Sequence, residues 1–469
     1  MLISKKIFRD YDIRGIYPED LDGEAAVLIG KALGTVFAEK NIINVVVGRD
    51  DRESSPVLSK SLIEGLLSTG RNITYIDITL TPIIHFLTCQ KGFDAGIMVT
   101  ASHNPKHFNG FRIDLKNALP FYGEDIKKLW NFSNSTNPNT FHSGKGNYSE
   151  ENLSLSYINF IKDKFKFKKK MKVVIDCGSG ASSIIAPKLF GEMGLNVIPV
   201  YCSYDSNFSH GIPDPENPLF LDDLEKKVLE NKADAGFGFD TDGDRFGFVD
   251  EKGKSYSTDQ SLLLFAQDVL IGNKGASVLY DVKCSKVLSE VIPKLGGKPE
   301  MIRTGHPYFF KKTLVGEAVL GAEYSGHVFF SDRYFGYDDG IYAACRTLEI
   351  MDKTDQKLSV LMDIFPQRLS SPEIKLECSD ENKFEVVEKL KTFFQSSGKF
   401  KKIITIDGVR VEVSDTGWFL IRPSNTSPYL SIRFEGKDEK EVKFLANQVL
   451  LSLSQYPEVK LDLLKKLIG

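Results

Sequence analysis

Over the first 148 residues, apolar runs and amphipathic stretches alternate. The runs at 43–47, 73–76 and 95–99 have the length and β-branched content of buried strands. Between the first two, Ser54-Ser55-Pro56 opens a helix with proline at its first position, and Gly70 follows the helix end. Such alternation predicts parallel strands joined by helical crossovers, an arrangement that gathers ligands at the carboxyl ends of the strands. The stretch VTASHNP, 99–105, stands at one of those ends.

A polar interval rich in Asn, Ser, Thr, Gly and Pro, 131–150, marks a boundary. Strands at 172–175, 196–200 and 235–239 then alternate with helices, and the last strand delivers DTDGDR at 240–245. A third unit combines a helix at 258–271, a strand at 277–280, a helix beginning near Cys284 and a strand at 318–321 that ends in AEYSGH. Beyond Pro366 a helix at 381–396 precedes β runs at 402–406, 409–413, 418–422 and 429–434 and a helix at 438–453, the grammar of a smaller α+β domain. The expected fold class is α/β: three similar mixed α/β domains at 1–148, 149–250 and 251–366, followed by a C-terminal α+β domain at 367–469.

The length, 469 residues, fits roughly three or four domains. Lysine plus arginine number 60 and aspartate plus glutamate 63, so no global positive field points to nucleic acid. The basic run FKFKKKMK, 165–172, reads as a solvated connector. Six cysteines at 89, 177, 202, 284, 345 and 378 lack paired short spacings, and no N-terminal apolar segment directs export. Reduced thiols in a cytoplasmic protein are expected. No window approaches the ~18 consecutive apolar residues of a membrane span.

DTDGDR carries Asp240, Asp242 and Asp244 at alternate positions, and an oxygen-only set suits magnesium, manganese or calcium. A calcium loop of the EF-hand type fails at its sixth position, where Arg245 replaces the required glycine, and RFGFV reads as a strand. An acidic turn without an ion is the remaining alternative. Ser102 and His103 in VTASHNP are compatible with a plain turn, since neighbours on an extended chain point apart. Beside a divalent cation, however, a serine hydroxyl can accept a phosphoryl group. RPSNTSP sets Ser424, Asn425, Thr426 and Ser427 beside Arg422, with Arg433 on the following strand. Hydroxyls, backbone amides and guanidinium groups suit a phosphate dianion, and a polar hairpin loop is the bland alternative. Glu323 and Ser325 can bond vicinal hydroxyls, whereas His327 taken alone reads as structural. In FRDYDIRG, 8–15, Arg9, Tyr11 and Arg14 cluster; Arg14 is either an anion contact or a surface partner of Asp10 or Asp12.

FRDYDIRG, VTASHNP with NGFRI, DTDGDR, DVKCSK, RTGHP, GAEYSGHVFF, YFGYDDGIYAACRTLEI, DGVRVEV and RPSNTSPYLSIRFEG succeed one another over nearly the whole chain. In that order and spacing they resemble the α-D-phosphohexomutase family, most closely its bacterial phosphomannomutase/phosphoglucomutase branch. The resemblance implies four domains around a central cleft, the last a mobile phosphate-binding cap. Ser102 would be a phosphoserine, and its phosphate with Asp240, Asp242 and Asp244 would hold Mg2+. Glu323 and Ser325 would bind sugar hydroxyls, while Arg422, Ser424, Asn425, Thr426 and Arg433 would anchor the distal phosphate. Tyr11, Arg245, Lys283, His306 and His327 match cleft positions, and Arg14 lies near the reacting phosphate.

The implied activity is an intramolecular phosphotransferase reaction interconverting the 1-phosphates and 6-phosphates of mannose and glucose. A hexose 1,6-bisphosphate serves as intermediate and activator, and it turns end for end between two transfers. The only expected partner is the phosphosugar, with no nucleic acid and no membrane, and the chain would act as a monomer or weak dimer. Phosphoglucosamine mutase is the nearest alternative, with glutamine usual where this chain has Tyr324, a position often methionine in the branch. A phosphosugar-binding protein without turnover is the other. One departure bears on mechanism. Arg112 stands where the family usually has lysine, and a guanidinium does not exchange protons as a tuned lysine can. Arg112 is therefore assigned to phosphate charge, leaving His103 or His327 to carry the proton.

Overall fold

A computed structural model describes residues 2–135, 137–424 and 427–468. Its strands form four sheets, one after another along the chain. In the first, Asn44–Arg49 pairs in parallel with both Asn72–Ile78 and Ala95–Val99. Ala95–Val99 is then followed by an antiparallel return, Phe108–Leu115, paired directly with it. All five residues of Ala95–Val99 are buried, as expected for a strand covered by helices on both faces.

The same construction recurs twice. In the second sheet Ala235–Phe239 is parallel to Lys172–Asp176 and antiparallel to Phe246–Asp250. In the third, Ala318–Ala322 is parallel to Ser277–Asp281 and antiparallel to Val328–Phe330. VTASHNP, DTDGDR and AEYSGH are thus equivalent pieces, each the connection from a buried parallel strand to its antiparallel return. The fourth sheet is antiparallel throughout its path, from Leu369–Ser370 through Tyr429–Gly436, Trp418–Pro423 and Val409–Glu412 to Lys402–Ile404.

Several elements differ from the sequence-based expectation. The polar interval at 131–150 contains the end of helix Glu124–Ser133 and the strand Tyr148–Glu150, which extends the first sheet beside Asn72–Ile78. Its exposed edge position explains its polar composition. The helix anticipated at Cys284 begins at Val287, because residues after Asp281 first make a turn closed by Cys284 N–H to the Asp281 carbonyl. Ile374–Glu377 is a strand paired with Tyr429–Gly436. The alternation of Ile374, Lys375, Leu376 and Glu377 fits a half-buried strand, but over four residues it is too short to stand out from a loop.

One apolar cluster runs from Val46 through the second and third sheets to Phe365, so the second and third units share a continuous core with one face of the first. The final unit has its own cluster, centred on Val409, Phe419, Ile432 and Val449. It meets the third unit across a mixed seam, in which Trp418 and Leu420 pack on Val282 and Met301. Arg410 donates to the carbonyls of Val282 at 2.7 Å and Cys284 at 2.6 Å and stacks on Trp418, 3.5 Å from the ring centre.

Candidate active site

Ser102 has φ of +47°, a left-handed conformation uncommon for serine, and its backbone N–H donates to Thr100 Oγ1 at 2.8 Å. This bend overturns the extended-chain premise. Ser102 Oγ lies 3.0 Å from His103 Nδ1 and donates to Asp240 Oδ2 at 2.8 Å. The loop is gripped from below by Arg52, whose guanidinium donates to the carbonyls of Ser102, Asn104, Pro105 and Phe108 at 2.5–3.0 Å. Asp50 holds Arg52 at 3.1 Å, with both side chains fully buried. In the sequence Arg52 only precedes the helix start at Ser54-Ser55-Pro56, and nothing there marks it as the clamp.

Asp240, Asp242 and Asp244 each present a carboxylate oxygen within 4.8 Å of the others. All three are buried, and among the described residues Asp242 Oδ1 and Asp244 Oδ1 have no hydrogen-bond partner. Burial, followed by the charges of Asp244 and Asp242, pushes the Asp240 carboxyl well above the usual carboxylate range. Burial and then Asp244 raise Asp242 in the same direction. Orphaned oxygens and mutual repulsion are what a divalent cation relieves, so the donor set fits magnesium. The loop is fixed from the first unit by Thr81, whose N–H donates to the Asp242 carbonyl at 3.0 Å and whose hydroxyl donates to Asp242 Oδ2 at 2.5 Å.

The third loop interlocks with the second. Phe246 N–H donates to the Gly326 carbonyl, and Arg245 Nε donates to His327 Nε2 at 3.1 Å. His327 Nδ1 rests 2.9 Å from Asp338. Burial opposes the charge on His327, but Asp244 and Asp338 raise its pKa above the ordinary value. Asp338 also meets Arg112 at 3.1 Å, and the same guanidinium pairs with Asp244. Behind Asp338 lies His85, fully buried, with Nε2 at 3.2 Å from Asp338 and Nδ1 at 2.8 Å from Asp114. Burial alone would lower its pKa; Asp114, and then contact with Asp338, lift it to about 9. Arg112 is therefore held by two carboxylates at the junction of three units, each taking a separate nitrogen of the guanidinium.

Most of the other named residues converge on one cavity of about 380 Å³, within the range of small-molecule sites. Tyr11, Arg14, Ser102, His103, Arg112, Arg245, Lys283, His306, Glu323, Ser325, His327, Arg422 and Ser424 line it, together with Asp242 and Asp244. Arg14 bonds Asn104 Oδ1 at 2.7 Å and Asp12 at 2.6 Å, so the salt bridge and the cleft position coexist. Tyr11 packs edge-on against His306 with ring centres 4.8 Å apart. Glu323 accepts from Gly305 N–H at 3.0 Å, and burial raises its pKa. Burial, then Arg245, Arg14 and Lys375, hold His103 well below its ordinary pKa and hence neutral.

From the last unit, Arg422 enters with Nε donating to Asp407 at 2.9 Å, and among the described residues its buried Nη2 has no partner. Lys375 and Tyr429 join it on the cavity wall. Lys375 is delivered by the short strand Ile374–Glu377, and apart from that strand no sequence signal marks it. Asn425 and Thr426 lie outside the described residues. Lys283 sits between Glu216 at 3.2 Å and Glu373 at 3.8 Å, carboxylates from the second and last units that carry no sequence signal. Arg433 does not line the cavity. Its guanidinium lies 3.6 Å from the Tyr324 ring centre, bonds Asp259 at 3.2 Å and donates to the Lys283 carbonyl. On the strand beside that of Arg422, it faces the seam, where Tyr324 receives its flat cation.

Four sequence families match in series: "Phosphoglucomutase/phosphomannomutase, alpha/beta/alpha domain I" over residues 5–139, domain II over 155–253, domain III over 257–368 and the C-terminal domain over 373–452. A phosphomannomutase/phosphoglucomutase of Pseudomonas syringae pv. tomato is 40% identical over 442 residues, 94% of each chain. A phosphoglucomutase of Neisseria meningitidis serogroup A is 36% identical, covering 97% of this chain and 98% of that one. The crystal structure of a phosphoglucomutase/phosphomannomutase family protein from Burkholderia thailandensis superposes with a TM-score of 0.88 at 34% identity, covering 97% of this chain and 98% of its own.

Proposed function

The chain belongs to the phosphoglucomutase/phosphomannomutase family, and from that premise we propose that it interconverts the 1-phosphates and 6-phosphates of mannose and glucose. The carrying observation is the meeting of Ser102 with three aspartates from another sheet, opposite an arginine with a vacant donor. Asp240, Asp242, Asp244 and Ser102 would hold Mg2+. Bound there, the ion supplies charge neutralisation at the phosphoryl oxygens.

In the first transfer the bond between phosphorus and Ser102 Oγ breaks as one forms to the O6 or O1 hydroxyl of the sugar. His103, neutral and 3.0 Å from Ser102 Oγ, accepts the proton released by the sugar hydroxyl and passes it to the departing serine oxygen, so the imidazole begins and ends the step neutral. His327, with Nδ1 on Asp338 and Nε2 engaged by Arg245, positions the Arg245 guanidinium on the cleft wall. Arg112 takes the phosphate charge, as its rigid double pairing suits it to do, and Arg14 lies beside it on the cleft wall. Glu323 and Ser325 bind the sugar hydroxyls, with Tyr11, His306, Arg245 and Lys283 bounding the ring. Arg422, Ser424, Asn425 and Thr426 form the distal phosphate clamp. Arg433 contributes by fixing Tyr324 and the Lys283 backbone.

The 1,6-bisphosphate so formed turns over, and its second phosphate returns to Ser102. Divisions near 148, 250 and 366 make the last unit a cap, and its separate core supports movement that lets the intermediate turn without leaving. A monomer or weak dimer in the cytoplasm would carry the activity. Among the described residues no helix is long and apolar enough to cross a membrane.

Side-by-side rates with mannose, glucose and glucosamine 1-phosphates test this reading. Comparable turnover of the first two is expected, since contacts confined to the 3- and 4-hydroxyls do not sense C2. A marked preference for glucosamine 1-phosphate would establish the amino-sugar alternative.

A further inference from the structure

Cys177 and Cys202 stand just past the carboxyl ends of two neighbouring parallel strands, Lys172–Asp176 and Asn196–Val200. Their sulfurs lie 3.1 Å apart, about 1 Å of approach from a disulfide, and the Cys202 sulfur also faces the carbonyls of Ile175 at 3.3 Å and Val200 at 3.2 Å. Cys177 is fully buried, whereas Cys202 is half-buried and open to a small oxidant. The remaining four thiols sit on separate elements far along the chain.

A tight turn over residues 177–181 connects this pair to the aspartate loop, with Gly178 at φ +50° and Ser179 at φ +59°. The turn is laced to the Cys202 segment: Cys177 N–H donates to Val200, Ser179 N–H to Tyr201, and Asp205 N–H to Ser179. On its other side it touches Thr241, between Asp240 and Asp242. Ala181 N–H donates to the Thr241 carbonyl at 2.8 Å, and a Cβ on Gly180 would fall 2.7 Å from Thr241 Cα. A shift of this turn therefore transmits directly to the aspartate loop.

We propose that Cys177 and Cys202 are a redox-responsive pair whose reversible disulfide displaces the turn supporting Asp240 and Asp242 and weakens divalent-cation binding there. With hydrogen peroxide as oxidant, the Cys202 sulfur attacks one peroxide oxygen, the O–O bond breaks, and sulfenic acid and water form. The Cys177 sulfur then attacks the sulfenic sulfur, the S–O bond breaks, and the second water leaves with the thiol proton. Two thiols and one peroxide thus give one disulfide and two waters. Burial and the adjacent Cys202 hold the Cys177 thiol well above its ordinary pKa, so the first attack falls to the more exposed Cys202.

The coupling rests on the divalent-cation reading of the loop, and the experiment separates the two. The full-length protein is treated with graded hydrogen peroxide, mapped by non-reducing peptide mass spectrometry, and titrated with Mn2+ by electron paramagnetic resonance before and after dithiothreitol. The expected result is a Cys177–Cys202 linked peptide, loss of two of the six thiols, and a fall of about tenfold in Mn2+ affinity that dithiothreitol reverses. Cys202→Ser, which keeps a hydrogen-bond donor at the site, should bind Mn2+ as the parent does and resist peroxide. Reduced protein that binds Mn2+ but yields only unlinked peptides overturns the disulfide. A linked peptide with unchanged Mn2+ affinity overturns the coupling, and reduced protein that binds no Mn2+ removes the metal reading and this proposal with it.

Discussion

Arg52 does not itself line the cleft, yet its loss should stop most turnover. Its guanidinium joins four carbonyls of the serine loop to one buried carboxylate. Lysine at this position offers a compact ammonium with three donors, so Arg52→Lys retains the charge and forfeits the fan of contacts. Ser102 would then lose the support that keeps its strained φ, and a displacement of about 1 Å in a reacting group can cost about 100-fold in rate. That is about 2.7 kcal/mol of barrier. Arg52→Ala additionally leaves Asp50 buried without its cation, a loss of about 3–5 kcal/mol. For a unit of this size roughly 2–4 °C of melting temperature accompanies each kcal/mol, so the alanine variant should melt about 10 °C lower. Steady-state kinetics with a hexose 1-phosphate and its 1,6-bisphosphate measure the first effect, and thermal melts the second. In Arg52→Lys, kcat should fall about 100-fold while KM stays within about threefold, because the sugar contacts remain. A folded Arg52→Lys protein whose kcat stays within about twofold of the parent would refute the clamp.

Three other residues give independent checks. Arg422→Ala removes a buried donor aimed at the distal phosphate, so KM should rise roughly 10- to 100-fold with a smaller change in kcat; an unaltered KM contradicts the clamp role. Arg112→Lys replaces the two-nitrogen fork between Asp244 and Asp338 by one compact charge, and kcat should drop by about tenfold or more, whereas a rise would show that a titrating lysine serves better here. His85, raised to about 9 in the folded protein, stabilises it fully below the unfolded value of about 6.5, and that contribution, about 3 kcal/mol, is lost as pH climbs through 9. Melting temperatures from pH 6 to 10 should therefore decline more steeply in the parent than in His85→Phe; parallel curves would show that His85 is neutral.

The sequence disclosed the loops better than their supports. VTASHNP, DTDGDR and AEYSGH could be located because each ends an apolar run, and the sheets turn all three into the same strand-to-return connection. Side-chain chemistry also narrowed the aspartate loop to a hard cation, since three alternate carboxylates have few other uses. By contrast, Asp338 and His85 are linked to Arg112 and His327 by contacts that only the packing of separate units creates. No local pattern announces them. Arg433 shows the opposite failure: its type and register suggested a phosphate ligand, but a neighbouring aromatic ring and Asp259 claim it. The Ser102–His103 contact depended on one backbone angle, which converts side chains that would diverge on a strand into a pair 3.0 Å apart.

The phosphoryl group on Ser102 is the centre of the proposed chemistry, and it can be weighed. Purified protein incubated with glucose 1,6-bisphosphate and Mg2+, then analysed by intact mass and phosphopeptide mapping, should carry one phosphoryl group at Ser102 and none in Ser102→Ala. That variant should fold as the parent does and have no mutase activity. An unmodified Ser102 after this incubation, or a Ser102→Ala protein that still converts hexose 1-phosphate to 6-phosphate, would contradict the phosphoserine mechanism.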